Sequence, residues 1–136
     1  MKRLQDNVTI ITGGGKGIGF GMACAFAREG SNLVITGRNE ARLEDAKKRL
    51  ENEYDVKVLA IVADGADEAK IKEVITKTIE TFGKINTLIN NAQASKSGLS
   101  LIEHTKEDFD LAINSGLYAT FFYMREAFPY LKESKG

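Results

Sequence analysis

The stretch that most constrains this chain is Thr12-Gly13-Gly14-Gly15-Lys16-Gly17-Ile18-Gly19. Five glycines fall within seven residues, between the apolar run Val8-Thr9-Ile10-Ile11 and a helical pattern that begins near Gly17. Glycine weakens regular structure and is used where the backbone turns sharply or another group comes close. A helix that starts in such a loop aims unpaired N–H groups, and the positive end of its dipole, at whatever the loop holds. The arrangement predicts a phosphate site. Tight helix–strand packing is the alternative, and it explains Gly19 more readily than five glycines together.

The rest of the chain reads as strands alternating with helices. Val8 to Ile11 is apolar without alternation, as in a parallel strand covered on both faces. Ile18, Met22, Ala25 and Phe26 then recur at helical spacing up to Gly30. Leu33-Val34-Ile35 is a second buried strand, ending at Thr36-Gly37. Asn39 suits the N-cap of a charged helix with a Leu43, Ala46, Leu50 stripe. A third strand spans Val56 to Val62 and stops at Asp64-Gly65; Asp67 opens a helix with Ile71, Val74, Ile75, Ile79 and Phe82 on one face.

Leu88-Ile89 centres a fourth strand that runs into Asn90-Asn91-Ala92-Gln93. Beyond the polar Ser95–Gly98 loop, Thr105 with Asp108 forms a capping-box start. Phe109, Ala112, Ile113, Leu117, Phe121, Met124, Phe128 and Leu131 follow as the apolar stripe of a last long helical region. Four such alternations call for parallel strands with right-handed helical crossovers. The expected architecture is a doubly wound α/β domain, or part of one, over residues 1–136.

Charge narrows the partners. Lys+Arg and Asp+Glu are both 19, so nothing argues for nucleic acid or a membrane surface. No uncharged apolar stretch approaches the ~20 residues that span a bilayer, and Met1–Asp6 lacks a signal-peptide core. Cys24 and His104 are the only cysteine and histidine, so no metal site is expected. A cytoplasmic protein is the expectation.

Two common phosphate loops fail against the glycine stretch. A Walker A loop needs Ser or Thr after its Gly-Lys, where Gly17 stands. The G-x-G-x-x-G pattern fails because Ile18 occupies the third glycine position after Gly13 and Gly15. What fits is Gly13-x-x-x-Gly17-x-Gly19. With Thr12 before it, this resembles the cofactor motif of the short-chain dehydrogenases/reductases. Asn90-Asn91-Ala92-Gln93 is similar to that family's Asn-Asn-Ala-Gly motif after the fourth strand, and Asn114 agrees with its pattern. The resemblance covers the whole chain and implies a Rossmann-like sheet that binds a nicotinamide dinucleotide.

Residues at the second strand's end bear on which dinucleotide. An acidic side chain there bonds the ribose 2′-OH of NAD, but here the strand ends Thr36-Gly37-Arg38. Arg38 offers a planar fork for a 2′-phosphate, and Lys16 adds a second charge nearby. NADP(H) is expected in preference to NAD(H), unless both cations are merely solvated surface charges. By resemblance, Gly15, Ile18 and Gly19 belong to the cofactor cradle, Asp64 and Gly65 line the adenine pocket, and the Asn91-Ala92-Gln93 backbone lines the ribose.

The chemistry implied by the resemblance is hydride transfer between a nicotinamide and a carbonyl or secondary alcohol. The family uses a Tyr-x-x-x-Lys pair, a serine, and an asparagine that orders a proton-relay water. Asn114 matches the asparagine. No tyrosine precedes a lysine by four: Tyr54 leads to Val58, Tyr118 to Phe122, Tyr123 to Ala127 and Tyr130 to Ser134. The serine is expected on a fifth strand after Gly136. The 136 residues alone are therefore expected to be inactive and to form the cofactor-binding part of a longer enzyme. Resemblance also implies a homo-oligomer through the last helix.

Substrate is the least legible property. Asn90 to Gly98 and Ser115 to Phe121 resemble segments of bacterial NADP-dependent 12-alpha-hydroxysteroid dehydrogenases, which act on bile acids; a 3-oxoacyl thioester or other carbonyl substrate is an alternative. Gln93 departs from the family glycine, and its side chain is expected to reach the nicotinamide or substrate. The rival readings are a non-catalytic dinucleotide-binding half-domain and a Rossmann-like methyltransferase.

Overall fold

A computed structural model describes residues 1–136. Four parallel strands form one sheet in the order β3-β2-β1-β4: β1 (Val8–Thr12), β2 (Asn32–Gly37), β3 (Val58–Val62) and β4 (Thr87–Ile89). Helices α1 (Gly17–Arg28), α2 (Glu40–Glu53) and α3 (Glu68–Phe82) connect them. After β4 come a 3₁₀ turn at Leu101–Glu103, α4 (Lys106–Ala112), a π-helical segment at Ile113–Tyr118 and α5 (Ala119–Ser134). Strand order reverses at β1, where β2 and β4 flank it. Open α/β sheets bind ligands at such a switch point, beyond the strands' carboxyl ends.

The sheet has a core on each face. Ile11, Leu33 and Ile35 pack with α1 and α2 through Ala23, Ala27, Leu43, Ala46 and Leu50. Ile10, Val34 and Ile61 pack with α3 and α5 through Ile71, Val74, Ile75, Tyr123 and Ala127. All five β1 residues are buried, as expected for a central strand. Helix starts follow the sequence signals: Asn39 accepts from the Arg42 N–H, Asp67 from the Lys70 N–H, and Thr105 with Asp108 makes a reciprocal capping box.

Three expectations change. β3 begins at Val58 rather than Val56, because the Lys57 and Val58 N–H groups are taken by the Asn32 and Glu51 side chains. The α1 stripe is phased differently: Gly19, Ala23 and Ala27 are buried, while Ile18 is 79% exposed. The last helical region is not one helix, since the π-helical segment interrupts it. Ala119, Tyr123 and Ala127 face the sheet, while Phe109, Leu117, Phe121, Met124 and Phe128 of the predicted stripe face solvent. Helix α1 approaches the sheet through small residues and α5 through Ala119 and Ala127 with Tyr123 between them, so most of their other bulky side chains fall outside or at the margin.

Candidate functional site

The glycine stretch forms the turn from β1 into α1, and its glycines divide by task. A methyl on Gly14 would lie 2.6 Å from Ile35 Cγ2, and one on Gly19 would lie 2.1 Å from the Gly13 carbonyl oxygen. Those two are needed for packing. Gly13 and Gly17 have φ of +66° and +54°, a region that disfavours side chains, and Gly17 meets only open space. Gly13, Gly15 and Gly17 face a cleft of about 750 Å³.

Helix α1 opens onto this cleft without a cap. Its N-cap position, Lys16, makes no side-chain capping bond, and its first turn carries no acidic residue. Helices α2, α3 and α4 each have both. The first N–H groups of α1 therefore remain available to an anion, and the helix dipole favours one there. The residues present fit a dinucleotide pyrophosphate.

The cleft runs along the carboxyl ends of the strands. Asp64 and Gly65 follow β3, Arg38 follows β2, the glycine turn follows β1, and Asn91, Ala92 and Gln93 follow β4; all line it, with Lys16 and Ile18. Three strand spacings separate its ends, roughly 14 Å. Arg38 Nε lies 3.9 Å from Asp64 Oδ1, with both side chains largely exposed. An exposed pair of this kind adds little stability and leaves most of the guanidinium fork free. Lys16 has no ion-pair partner.

Thr12 and Asn91 lock the floor. The Thr12 hydroxyl accepts the Asn91 and Ala92 N–H groups at 3.0 and 2.9 Å, and Asn91 Nδ2 donates to the Thr12 and Gly13 carbonyls. The loop after β4 is thereby fixed to the glycine turn.

The short chain dehydrogenase family model matches residues 7–136. This chain belongs to that family. It is 57% identical to a 12alpha-hydroxysteroid dehydrogenase from a Clostridium species, over 97% of this chain and 53% of the relative. The crystal structure of levodione reductase superposes with a TM-score of 0.91 at 32% identity, covering 97% of this chain and 52% of that one. L-sorbose reductase from Gluconobacter frateurii, complexed with NADPH and L-sorbose, gives 0.91 at 27% identity, with 98% and 51% covered. The chain spans about half the length of the curated relatives it matches.

Within this short chain dehydrogenase cleft, twelve of the thirteen residues singled out from sequence converge. The thirteenth, Asn114, sits in the π-helical segment and is exposed, and its side chain does not line the cleft. Its neighbour Ser115 does, at 9% exposure. Ser115 Oγ accepts the Ala94 N–H at 2.8 Å and donates toward the Ala94 and Leu111 carbonyls at 2.8 and 2.7 Å.

Sequence reading also passed over Thr36, Arg42, Thr120 and Tyr123, which line the cleft. Burial pushes the Tyr123 phenol above its ordinary pKa, partly opposed by the Thr36 hydroxyl, so it remains a neutral donor. A tyrosine one helical turn from Ala119 and from Ala127 was the available signal.

His104 bridges the loop beyond Ala94. Its Nδ1 lies 2.9 Å from the Ser100 carbonyl oxygen and its Nε2 3.1 Å from that of Lys96. Only the imidazolium can donate to both, and these two carbonyls hold its pKa above the ordinary histidine value.

Proposed function

We propose that this chain is the cofactor-binding part of an NADP(H)-dependent oxidoreductase that interconverts a secondary alcohol and a ketone, with a hydroxysteroid as substrate. The observation that carries the reading is the convergence of Arg38 and Lys16, without a carboxylate at the end of β2, on one cleft with the uncapped start of α1. Bound NADP(H) supplies or accepts the hydride. The chain's own residues bind and orient it. The α1 N–H groups take the pyrophosphate, while Lys16 and Arg38 take the 2′-phosphate, with Asp64 steadying Arg38 from the side. Asp64 and Gly65 border the adenine, and the Asn91-Ala92-Gln93 backbone borders the ribose, with the Gln93 side chain toward the reacting end.

Asn114 is proposed to serve the proton relay from the π-helical segment. The serine and the Tyr-x-x-x-Lys pair are assigned to sequence beyond residue 136, which makes residues 1–136 an incomplete domain and inactive alone. A second copy of the protein is proposed to cover the exposed apolar face of α4 and α5, and the cytoplasm is the proposed location. The hydroxysteroid substrate is supported by the 57% identity to the clostridial enzyme.

Oxidation of a 12α-hydroxysteroid by the full-length protein, followed by NADPH absorbance, tests the reading. Turnover should favour NADP⁺ over NAD⁺, and Arg38→Asp should reverse the kcat/KM ratio. No turnover with either nucleotide contradicts the proposed function.

A further inference from the structure

We propose that Ser115 is a positioning residue that acts through Ala94 to set Gln93 as the residue selecting substrate at the β4 end of the cleft. The inference rests on the oxidoreductase reading above. Ser115 holds one residue by both its backbone groups: the Ala94 N–H donates to Ser115 Oγ at 2.8 Å, and the Ala94 carbonyl lies 2.8 Å from the same oxygen. A hydroxyl has one proton, so it serves either the Ala94 or the Leu111 carbonyl at a time while accepting the N–H throughout. This tie spans 21 positions of sequence and joins the loop after β4 to the π-helical segment. It sits next to the side chain that departs from the family pattern.

Gln93 lies over Gly116. A methyl built on Gly116 would lie 3.6 Å from Gln93 Cγ and 3.9 Å from Cδ, so the glutamine stem lies across a position with no side chain of its own. The π-helical segment thus contributes two consecutive residues, a hydroxyl that fixes Ala94 and a gap that receives Gln93. The carboxamide offers two donors and an acceptor to the cleft, at the end away from Lys16 and Arg38. A group so presented discriminates between substrates by hydrogen bonding, because a substrate lacking the matching polar atom leaves a carboxamide group unpaired. It discriminates little between nucleotides, whose distinguishing phosphate lies at the opposite end.

The test uses the full-length protein with a 12α-hydroxysteroid and NADP⁺, in Gln93→Ala, Ser115→Ala, Ser115→Thr and the Gln93→Ala/Ser115→Ala double variant. Gln93 is exposed, so its truncation leaves the fold intact. Each alanine variant should raise KM for the steroid about tenfold with NADP⁺ affinity within about twofold, on the scale of one lost hydrogen bond. The double variant should be no worse than either single one, and Ser115→Thr should restore KM. Wild-type turnover with an unchanged steroid KM in Gln93→Ala overturns the inference, as do additive effects or an equal loss of NADP⁺ affinity. Absence of wild-type turnover overturns the underlying reading, and this inference with it.

Discussion

Thr12 and Asn91 are tied in both directions: the Thr12 hydroxyl accepts the Asn91 N–H at 3.0 Å, and Asn91 Nδ2 donates to the Thr12 carbonyl at 3.0 Å. Thr12 is 3% exposed, so water cannot readily replace its hydroxyl. Thr12→Val keeps the shape but strands the Asn91 and Ala92 N–H groups. It should lower the unfolding free energy by about 1–3 kcal/mol. Thr12→Ser should recover most of that loss. Urea unfolding of the three proteins checks the prediction, and a fully stable valine variant contradicts it.

Gly17 and Gly19 should respond differently to the same methyl group. In Gly19→Ala the new carbon meets the Gly13 carbonyl oxygen at 2.1 Å, a backbone clash that forces the turn apart. A loss of roughly 1–3 kcal/mol is expected, as for an overpacked core position. Gly17→Ala meets nothing but carries a φ of +54°, which costs roughly 1–2 kcal/mol in conformation alone. Gly17 also lines the cleft, so NADPH binding should weaken beyond what the stability change explains. Thermal melts with and without NADPH separate the two effects.

The His104 bridge should make the loop from Lys96 to His104 pH-sensitive. Because the folded-state pKa is raised, the stability from this bridge is fully present below the unfolded value of about 6.5. It is lost as pH rises through the folded value. Asp108 supports the imidazolium and Lys96 opposes it. Amide protection factors for the loop should therefore fall between mildly acidic and mildly alkaline pH. His104→Gln should abolish that dependence.

The outward apolar face of the last helical region should govern self-association. Leu117 and Phe128 are 66% and 61% exposed, and their replacement disturbs no core contact. Leu117→Glu with Phe128→Glu in the full-length protein should shift sedimentation to a smaller species with an unchanged circular dichroism spectrum. An unchanged sedimentation coefficient contradicts the proposed second copy.

Much of this was legible in the residues. β-branched runs without alternation marked the buried parallel strands, and Asn39, Asp67 and Thr105 stood where caps were needed. The glycine turn, Arg38 and Asn91 were legible because their types carry backbone or phosphate chemistry. The phases of α1 and α5 were not. Periodicity weights bulk, whereas α1 contacts the sheet through Ala23 and Ala27, and α5 through Ala119 and Ala127 on either side of the single bulky Tyr123.

The π-helical segment had no sequence marker, since one extra residue in a helix leaves composition unchanged. Ser115 was overlooked for the same reason. Its neighbour Asn114 carried the family pattern, while the tie from Ser115 to Ala94 depends on a fold-back between segments 21 positions apart.

NADP(H) is proposed to bind the cleft through Lys16 and Arg38. Calorimetric titration of this chain with NADPH, NADH and S-adenosylmethionine tests it most directly. NADPH should bind at least about tenfold more tightly than NADH, in keeping with a charge-assisted phosphate contact, and Arg38→Asp should reverse the preference. S-adenosylmethionine should not bind. Equal affinities for NADPH and NADH in the wild type, or a preference for S-adenosylmethionine, would rule out an NADP(H) site built on Lys16 and Arg38.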